Sequence, residues 1–156
     1  MRIGFGYDAH RLDIGRKCVL CGVEIPSSFG PDGHSDADVP IHALMDAMLG
    51  AAALGDIGNY FPNSDKRWEM ADSVELLKEI YRLVLKSGYT LGNADVTIVL
   101  ESPRLSPYIE QMRIRLSEAL GVDIGRISVK ATTEEKMGFT GAGTGVSAMA
   151  VVLLEE

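Results

Sequence analysis

Apolar and polar positions alternate at the start of the chain, where residues 2 to 7, RIGFGY, put Ile3, Phe5 and Tyr7 on one face of a strand. CVLCGVEIP adds a further short extended stretch or hairpin, and the Gly- and Pro-rich SSFGPDGHSDADVP reads as a turn. The period then lengthens. IHALMDAMLGAAALG carries Ile41, Leu44, Met48 and Leu49 at helical spacing, with Pro40 suited to a first turn and a start expected near His42. DIGNYFPNSDKRW has no period and predicts a polar loop. Asp72 followed by Glu75 predicts a capping box for a helix bearing Val74, Leu77, Ile80, Tyr81 and Val84, closed by Gly88. NADVTIVLES is expected to be a strand. SPYIEQMRIRLSEALG is expected to be a helix, with Ser106 as N-cap, Pro107 at its first position and Gly121 beyond its end. RISVKATT predicts a strand, EEKMGFTGAGTG a loop and VSAMAVVLL a terminal strand. Helices and strands alternate after a hairpin-like opening. The expected fold is therefore α+β, a two-layer α/β sandwich with helices packed on one face of a mixed β-sheet.

Length fits one domain, residues 1–156, large enough to bury roughly 70% of its unfolded-state surface without covalent staples. No apolar run reaches the ~18 residues of a membrane span. MRIGFGYDAH resembles neither a signal nor a transit peptide, so the expectation is a soluble, cytoplasmic protein without a membrane partner. A formal charge of −7 argues against a nucleic-acid partner and requires that any phosphate-bearing substrate be held by metal ions and backbone N–H groups. The two cysteines, Cys18 and Cys21, have no second C-x-x-C to complete a zinc ribbon. They read as small apolar residues of a strand, with their thiols on opposite faces, in a reducing compartment.

Chemistry concentrates near the N-terminus. The three histidines, His10, His34 and His42, all lie in the first 42 residues beside Asp8, Asp36, Asp38 and Asp46. Asp8 and His10 are two apart on a strand, on one face and about 7 Å apart along the chain. With His42 from a helix start they would make a three-ligand set for a zinc ion with an open position. The alternative is a satisfied strand histidine and capping carboxylates. Asp46, one turn after His42, is placed either to accept its second ring N–H or simply in solvent. Asp56 and Gly58 suit either polyol binding or a helix-terminating loop. Thr132, Thr133, Glu134 and Glu135 suit either a phosphate and Mg²⁺ site or a solvated turn. GFTGAGTG lacks the Lys-Ser/Thr of a P-loop and leads into a β-rich run, and no G-x-S-x-G elbow occurs, so nucleotide-loop and serine-nucleophile readings are set aside.

The segments GYDAH, GHSDADVPIHALMDAMLGAAALGDIGNYFP, ADS, GYTLGNADVTI and KATTEEKMGFTG, in this order and essentially end to end, resemble the 2-C-methyl-D-erythritol 2,4-cyclodiphosphate synthases of non-mevalonate isoprenoid biosynthesis. The resemblance implies a homotrimer with active sites between subunits. It implies conversion of 4-diphosphocytidyl-2-C-methyl-D-erythritol 2-phosphate to the cyclic diphosphate with release of CMP. On matching positions, Asp8, His10 and His42 would bind Zn²⁺ and Glu135 would bind Mg²⁺ or Mn²⁺. His34 and Thr133 would orient and stabilise the reacting phosphates, with Asp8, His10, His34 and Ser35 touching substrate. Asp56, Ile57 and Gly58 would hold the methylerythritol part, and Phe61, Pro62, Asn63, Ser64 and Asp65 would line the same pocket. Leu100, Glu101, Ser102, Pro103, Arg104, Leu105 and Ser106 would form the cytidine pocket with Ala131, Thr132 and Thr133, contributed by a neighbouring subunit. Phe139 completes the implied substrate contacts.

The chain also departs from the family's pattern. It has Ala142 and Thr144 where many members have an Arg and a Glu after G-F-T-G, so an isoprenoid diphosphate is expected to bind weakly in a central trimer cavity. The competing expectations are a metal-dependent phosphoester hydrolase and a non-catalytic trimeric ligand-binding module. From the length, the fused cytidylyltransferase known in the family is not expected here.

Overall fold

The computed structural model describes every residue except Asn63. Strand β1, Arg2–Ile14, runs well past the predicted residues 2 to 7, because the chain's last strand pairs with it as far as Arg11 and its final three residues pair with the short strand β4, Phe29–Pro31, from Leu12↔Pro31 to Ile14↔Phe29. That partner was hidden in a segment read as a turn. Between them, β2 (Cys18–Leu20) and β3 (Val23–Ile25) form the expected hairpin. Its two-residue turn holds both Cys21 and Gly22 at positive φ, 52° and 71°, the twist that tight hairpins favour. Cys21 therefore lies in the turn and not on a strand. Both thiols are buried and unpaired, where the sequence put them on opposite faces. Burial, with Asp38 nearby, pushes Cys18 up to about 11 and Cys21 well above its usual range, which leaves both as inert core groups.

Helix α1, Val39–Ala52, starts three residues before His42 because Asp38 caps it, its side chain accepting from the Ile41 N–H with Pro40 in the first turn. Eleven of its residues are buried, from Val39 to Ala52, so it is apolar nearly all round and lies sandwiched between the sheet and helix α2, Ser73–Lys86. Asp72 caps α2 through the Val74 N–H, whereas Glu75 pairs with Lys78, so the predicted reciprocal capping box is only half made. Strand β5, Thr90–Val99, begins earlier than NADV. It carries a bulge between Leu91 and Asn93, where the Tyr81 hydroxyl accepts from the Leu91 N–H.

Helix α3 is Ile109–Leu120, and Ser106 does not cap it. Residues Ser106–Tyr108 form a 3₁₀ turn, and the Ser106 hydroxyl accepts from Arg104 instead. Gly121 ends α3 in the left-handed conformation as predicted. Strand β6, Ile127–Thr132, pairs parallel with β5, and the supposed loop at 134–145 contains a one-turn helix, α4, Gly138–Gly141. The last strand, β7, Gly145–Glu155, sits at the centre of the sheet, antiparallel to both β1 and β5. The order β4-β1-β7-β5-β6 is a mixed five-stranded sheet, so the α+β expectation holds. Helices cover one face. The other leaves Ile3, Phe5, Tyr7 and Val151 exposed at 74, 62, 50 and 43%.

Candidate active site

Alternation along β1 puts Gly4, Gly6, Asp8 and His10 on the helix-covered face. The two glycines let α1 lie against the strand at backbone distance. A Cβ on Gly4 would stand 1.9 Å from the Ala47 carbonyl oxygen, and one on Gly6 the same distance from that of Ala43. This close approach brings His42, beside Ala43, over the next residue of the stripe. His42 Nδ1 is 3.0 Å from Asp8 Oδ2, and His10 Nε2 is 3.1 Å from the same oxygen. One donor atom from each of the three residues lies within 4.8 Å of the others, and the two imidazoles meet edge to face.

The electrostatics follow from that packing. Burial pushes the Asp8 carboxyl up, but the two histidines together outweigh it and hold Asp8 well below the usual carboxylate range. The Asp8 carboxylate in turn raises His10 above its ordinary value, against the pull of burial. His10 Nε2 is buried and, among the described residues, has no hydrogen-bond partner despite its nearness to Asp8. A buried ring nitrogen without a partner, converging with a carboxylate and a second imidazole, fits a divalent cation of zinc type with one position left open.

Behind the cluster, His42 Nε2 lies 3.1 Å from both Ser35 Oγ and Ser73 Oγ. Asp46 is not its partner. That carboxylate accepts from the Ile57 N–H at 2.8 Å and so fixes the loop after α1. Asp38 is fully buried and accepts from the N–H groups of Cys21, Gly22 and Ile41, which ties the hairpin turn to the start of α1. Burial, then the neighbouring Asp36, pushes its carboxyl up to about 7.

A cavity of about 460 Å³ opens from the cluster. His34, Ser35, Ile57, Gly58, Phe61 and Pro62 line it alongside Asp8, His10 and His42, together with Met45, Trp68 and Leu76, which the sequence did not single out. His34 Nε2 donates to the Asp65 carbonyl at 3.3 Å, so that nitrogen carries a hydrogen. The Asp56 and Asp65 side chains turn back on their own loops, Asp56 accepting from the Asn59 N–H and Asp65 from Arg67. Ser64 is exposed, and Asn63 lies outside the described residues.

The remaining expected residues are elsewhere. Leu100, Glu101, Pro103, Arg104, Leu105, Ser106, Ala131, Thr132 and Thr133 line a second cavity of about 440 Å³ at the β5–β6 edge, with Ser102 exposed beside it. Three strand spacings, on the order of 14 Å, separate β6 from β1. Thr133 and Glu135 are exposed, and Glu135 donates its N–H to Thr133 Oγ1, away from the histidines. Glu134 is engaged by the buried Thr140 hydroxyl. Phe139 faces a third cleft, shared with His10, Arg11, Thr144 and Gly145. Of the two residues behind His42, the sequence presents Asp36 only as one of the carboxylates near the histidines, without a role, and does not single out Ser73. Ser73 enters only within the segment ADS.

The YgbB family model matches residues 1–155. The chain is 63% identical over 154 residues to the 2-C-methyl-D-erythritol 2,4-cyclodiphosphate synthase of Moorella thermoacetica, covering 99% of this chain and 94% of the relative. It is 53% identical over 154 residues to the protein of the same name in Clostridioides difficile, covering 99% of this chain and 96% of that one. Among solved structures, a CDP-bound 2C-methyl-D-erythritol-2,4-cyclodiphosphate synthase shares the fold with a TM-score of 0.91 at 42% identity, over 99% of this chain and 100% of that one. The bifunctional IspDF of Campylobacter jejuni matches with a TM-score of 0.95 at 41% identity. The match covers 98% of this chain and 42% of that one, so the chain spans under half of the bifunctional protein.

Proposed function

The chain belongs to the YgbB family, and from that premise we propose that it converts 4-diphosphocytidyl-2-C-methyl-D-erythritol 2-phosphate to 2-C-methyl-D-erythritol 2,4-cyclodiphosphate with release of CMP. The observation that carries this reading is the convergence of Asp8, His10 and His42 at the mouth of the larger cavity. An oxygen of the 2-phosphate bonds to the β-phosphorus while the bond from that phosphorus to the oxygen bridging the α-phosphate breaks. CMP departs with the electron pair. The attacking oxygen is already anionic, so no general base is required. The demand is to bring two polyanionic groups into line and to neutralise their charge. Zn²⁺ on Asp8, His10 and His42 and Mg²⁺ or Mn²⁺ on Glu135 would supply that neutralisation, and exposed Glu135 leaves room for the waters a hard cation retains.

Ile57, Gly58, Phe61 and Pro62 hold the methylerythritol end in this reading, with the Asp56 and Asp65 loops closing around it. His34 and Ser35 donate to the phosphates. Thr133 and the cavity at Leu100–Ser106 and Ala131–Thr133 receive the cytidine side of the substrate. That second cavity lies three strands away from Asp8 across the sheet. A homotrimer associating through the uncovered apolar sheet face would bring the second cavity of one copy to the Asp8 cluster of the next, and the exposed Ile3, Phe5, Tyr7 and Val151 support such contact. We place the protein in the cytoplasm, where Cys18 and Cys21 stay reduced.

Incubation with this substrate, Zn²⁺ and Mg²⁺ in ¹⁸O-enriched water, followed by ³¹P NMR and mass spectrometry, is expected to give the cyclic diphosphate and CMP without solvent oxygen. Incorporation of ¹⁸O would point to hydrolysis instead, and bound substrate with no turnover to a binding module.

A further inference from the structure

The His42 ring is wired on both sides. Nδ1 faces Asp8, while Nε2 faces two hydroxyls, those of Ser35 and Ser73. Ser73 is wholly buried at the first residue of α2. Its hydroxyl donates to Asp36 Oδ1, and its backbone N–H donates to Asp36 Oδ2 at 3.1 Å. A carboxylate only accepts, so the Ser73 hydroxyl hydrogen is committed to Asp36, and Ser73 Oγ meets His42 as an acceptor. Ser35 Oγ accepts from the Ala37 N–H at 3.1 Å and has a second lone pair free for the same ring nitrogen. The donor in this arrangement is Nε2–H. Nδ1 is then the nitrogen left for whatever lies against Asp8.

We propose that Asp36 and Ser73 form a positioning relay that fixes His42 with its hydrogen on Nε2 and aims the Nδ1 lone pair at the cation taken by Asp8, His10 and His42. This rests on the metal reading above. An imidazole that donates its second N–H to a fixed acceptor is held in orientation and made a stronger ligand. Capping of α2 does not account for the pair, because Asp72 already fills that role through the Val74 N–H. Asp36 instead grips Ser73 through both of its oxygens, as a residue that must orient a hydroxyl does. Its Oδ1 also accepts from the Asp38 N–H, which anchors the carboxylate at the start of α1.

The chain has three histidines, so selective ¹⁵N labelling of the imidazoles gives three ring systems to assign. Long-range ¹H–¹⁵N NMR of the wild type titrated with Zn²⁺ alone is expected to show the His42 hydrogen on Nε2 and a zinc-shifted Nδ1. Competition with a chromogenic chelator is expected to show Ser73→Ala and Asp36→Asn weakening zinc by about 10–100-fold, with Ser73→Thr, which keeps the hydroxyl, close to wild type. Zinc on Nε2 of wild-type His42, a hydrogen on its Nδ1, or undiminished zinc affinity in folded Ser73→Ala would each overturn the relay. The wild-type spectrum decides the matter even if a variant fails to fold. A wild type that takes up no zinc at all would overturn the metal reading itself, a different outcome from a wild type whose zinc is indifferent to Ser73.

Discussion

At the scale of single residues, the Asp8 carboxylate draws two imidazoles to one oxygen, and that contact dictates what the site holds. Removing His42 leaves a carboxylate and one ring, too few ligands for a tightly held catalytic cation. His42→Ala, or dialysis against a strong chelator, is expected to lower turnover by at least about 10²–10³-fold, the scale of losing a preorganised electrostatic contact, measured as CMP release. Zn²⁺ added back should restore the dialysed enzyme but not the variant, and full activity in rigorously metal-free buffer would remove the ion from the reaction. Asp8 and His10 were legible because strand alternation is a local rule. His42 followed only as the remaining histidine near a helix start. Ser73 and Asp36 were not legible: a hydroxyl buried at a helix start and a carboxylate 37 residues away leave no periodic mark. Asp46 misled for the converse reason. Helical spacing put it one turn from His42, but its side chain satisfies the Ile57 N–H of the following loop.

At the scale of elements, the contact between β1 and α1 sets the cluster of Asp8, His10 and His42, since Gly4 and Gly6 admit the helix to backbone distance. Gly6→Ala inserts a methyl against the Ala43 carbonyl, an obstacle that no rotamer change removes. The variant is expected to lose about 1–3 kcal/mol of stability or more, seen as a lowered midpoint in urea, and to weaken zinc as His42 is pushed from Asp8. An unchanged midpoint and unchanged zinc affinity would show that α1 does not depend on this contact. Long periodic elements such as α1, α2 and β7 were legible from apolar spacing. β4 and α4 were not, because three-residue strands and one-turn helices carry too few positions to establish a period, and their form comes from tertiary partners. Ser106 and Pro107 looked like a helix start in isolation. The chain instead makes a 3₁₀ turn there before α3 begins, with the Ser106 hydroxyl taken by Arg104.

At the scale of the whole molecule, the two cavities lie on different strands of one sheet, and Ile3, Phe5, Tyr7 and Val151 stand exposed on its uncovered face. Phe5→Asp together with Val151→Asp places charges on that face without touching either cavity. Sedimentation is expected to change from a trimer in the wild type to a monomer. The monomer should keep its zinc yet lose turnover, because its two half-sites are no longer brought together. A fully active monomer would show that one chain suffices. The outer strands narrow how copies can meet. β4 is three residues long and ends in Pro31, while the exposed side of β6 carries Lys130, bound to Asp95 at 2.7 Å. A short strand with proline and a strand guarded by an ion pair are poor templates for another chain's backbone. Growth by adding strand to strand, the route to open-ended fibres, is thus discouraged at both ends of the sheet. Association is directed to side chains on its face, where a small closed ring can form and stop.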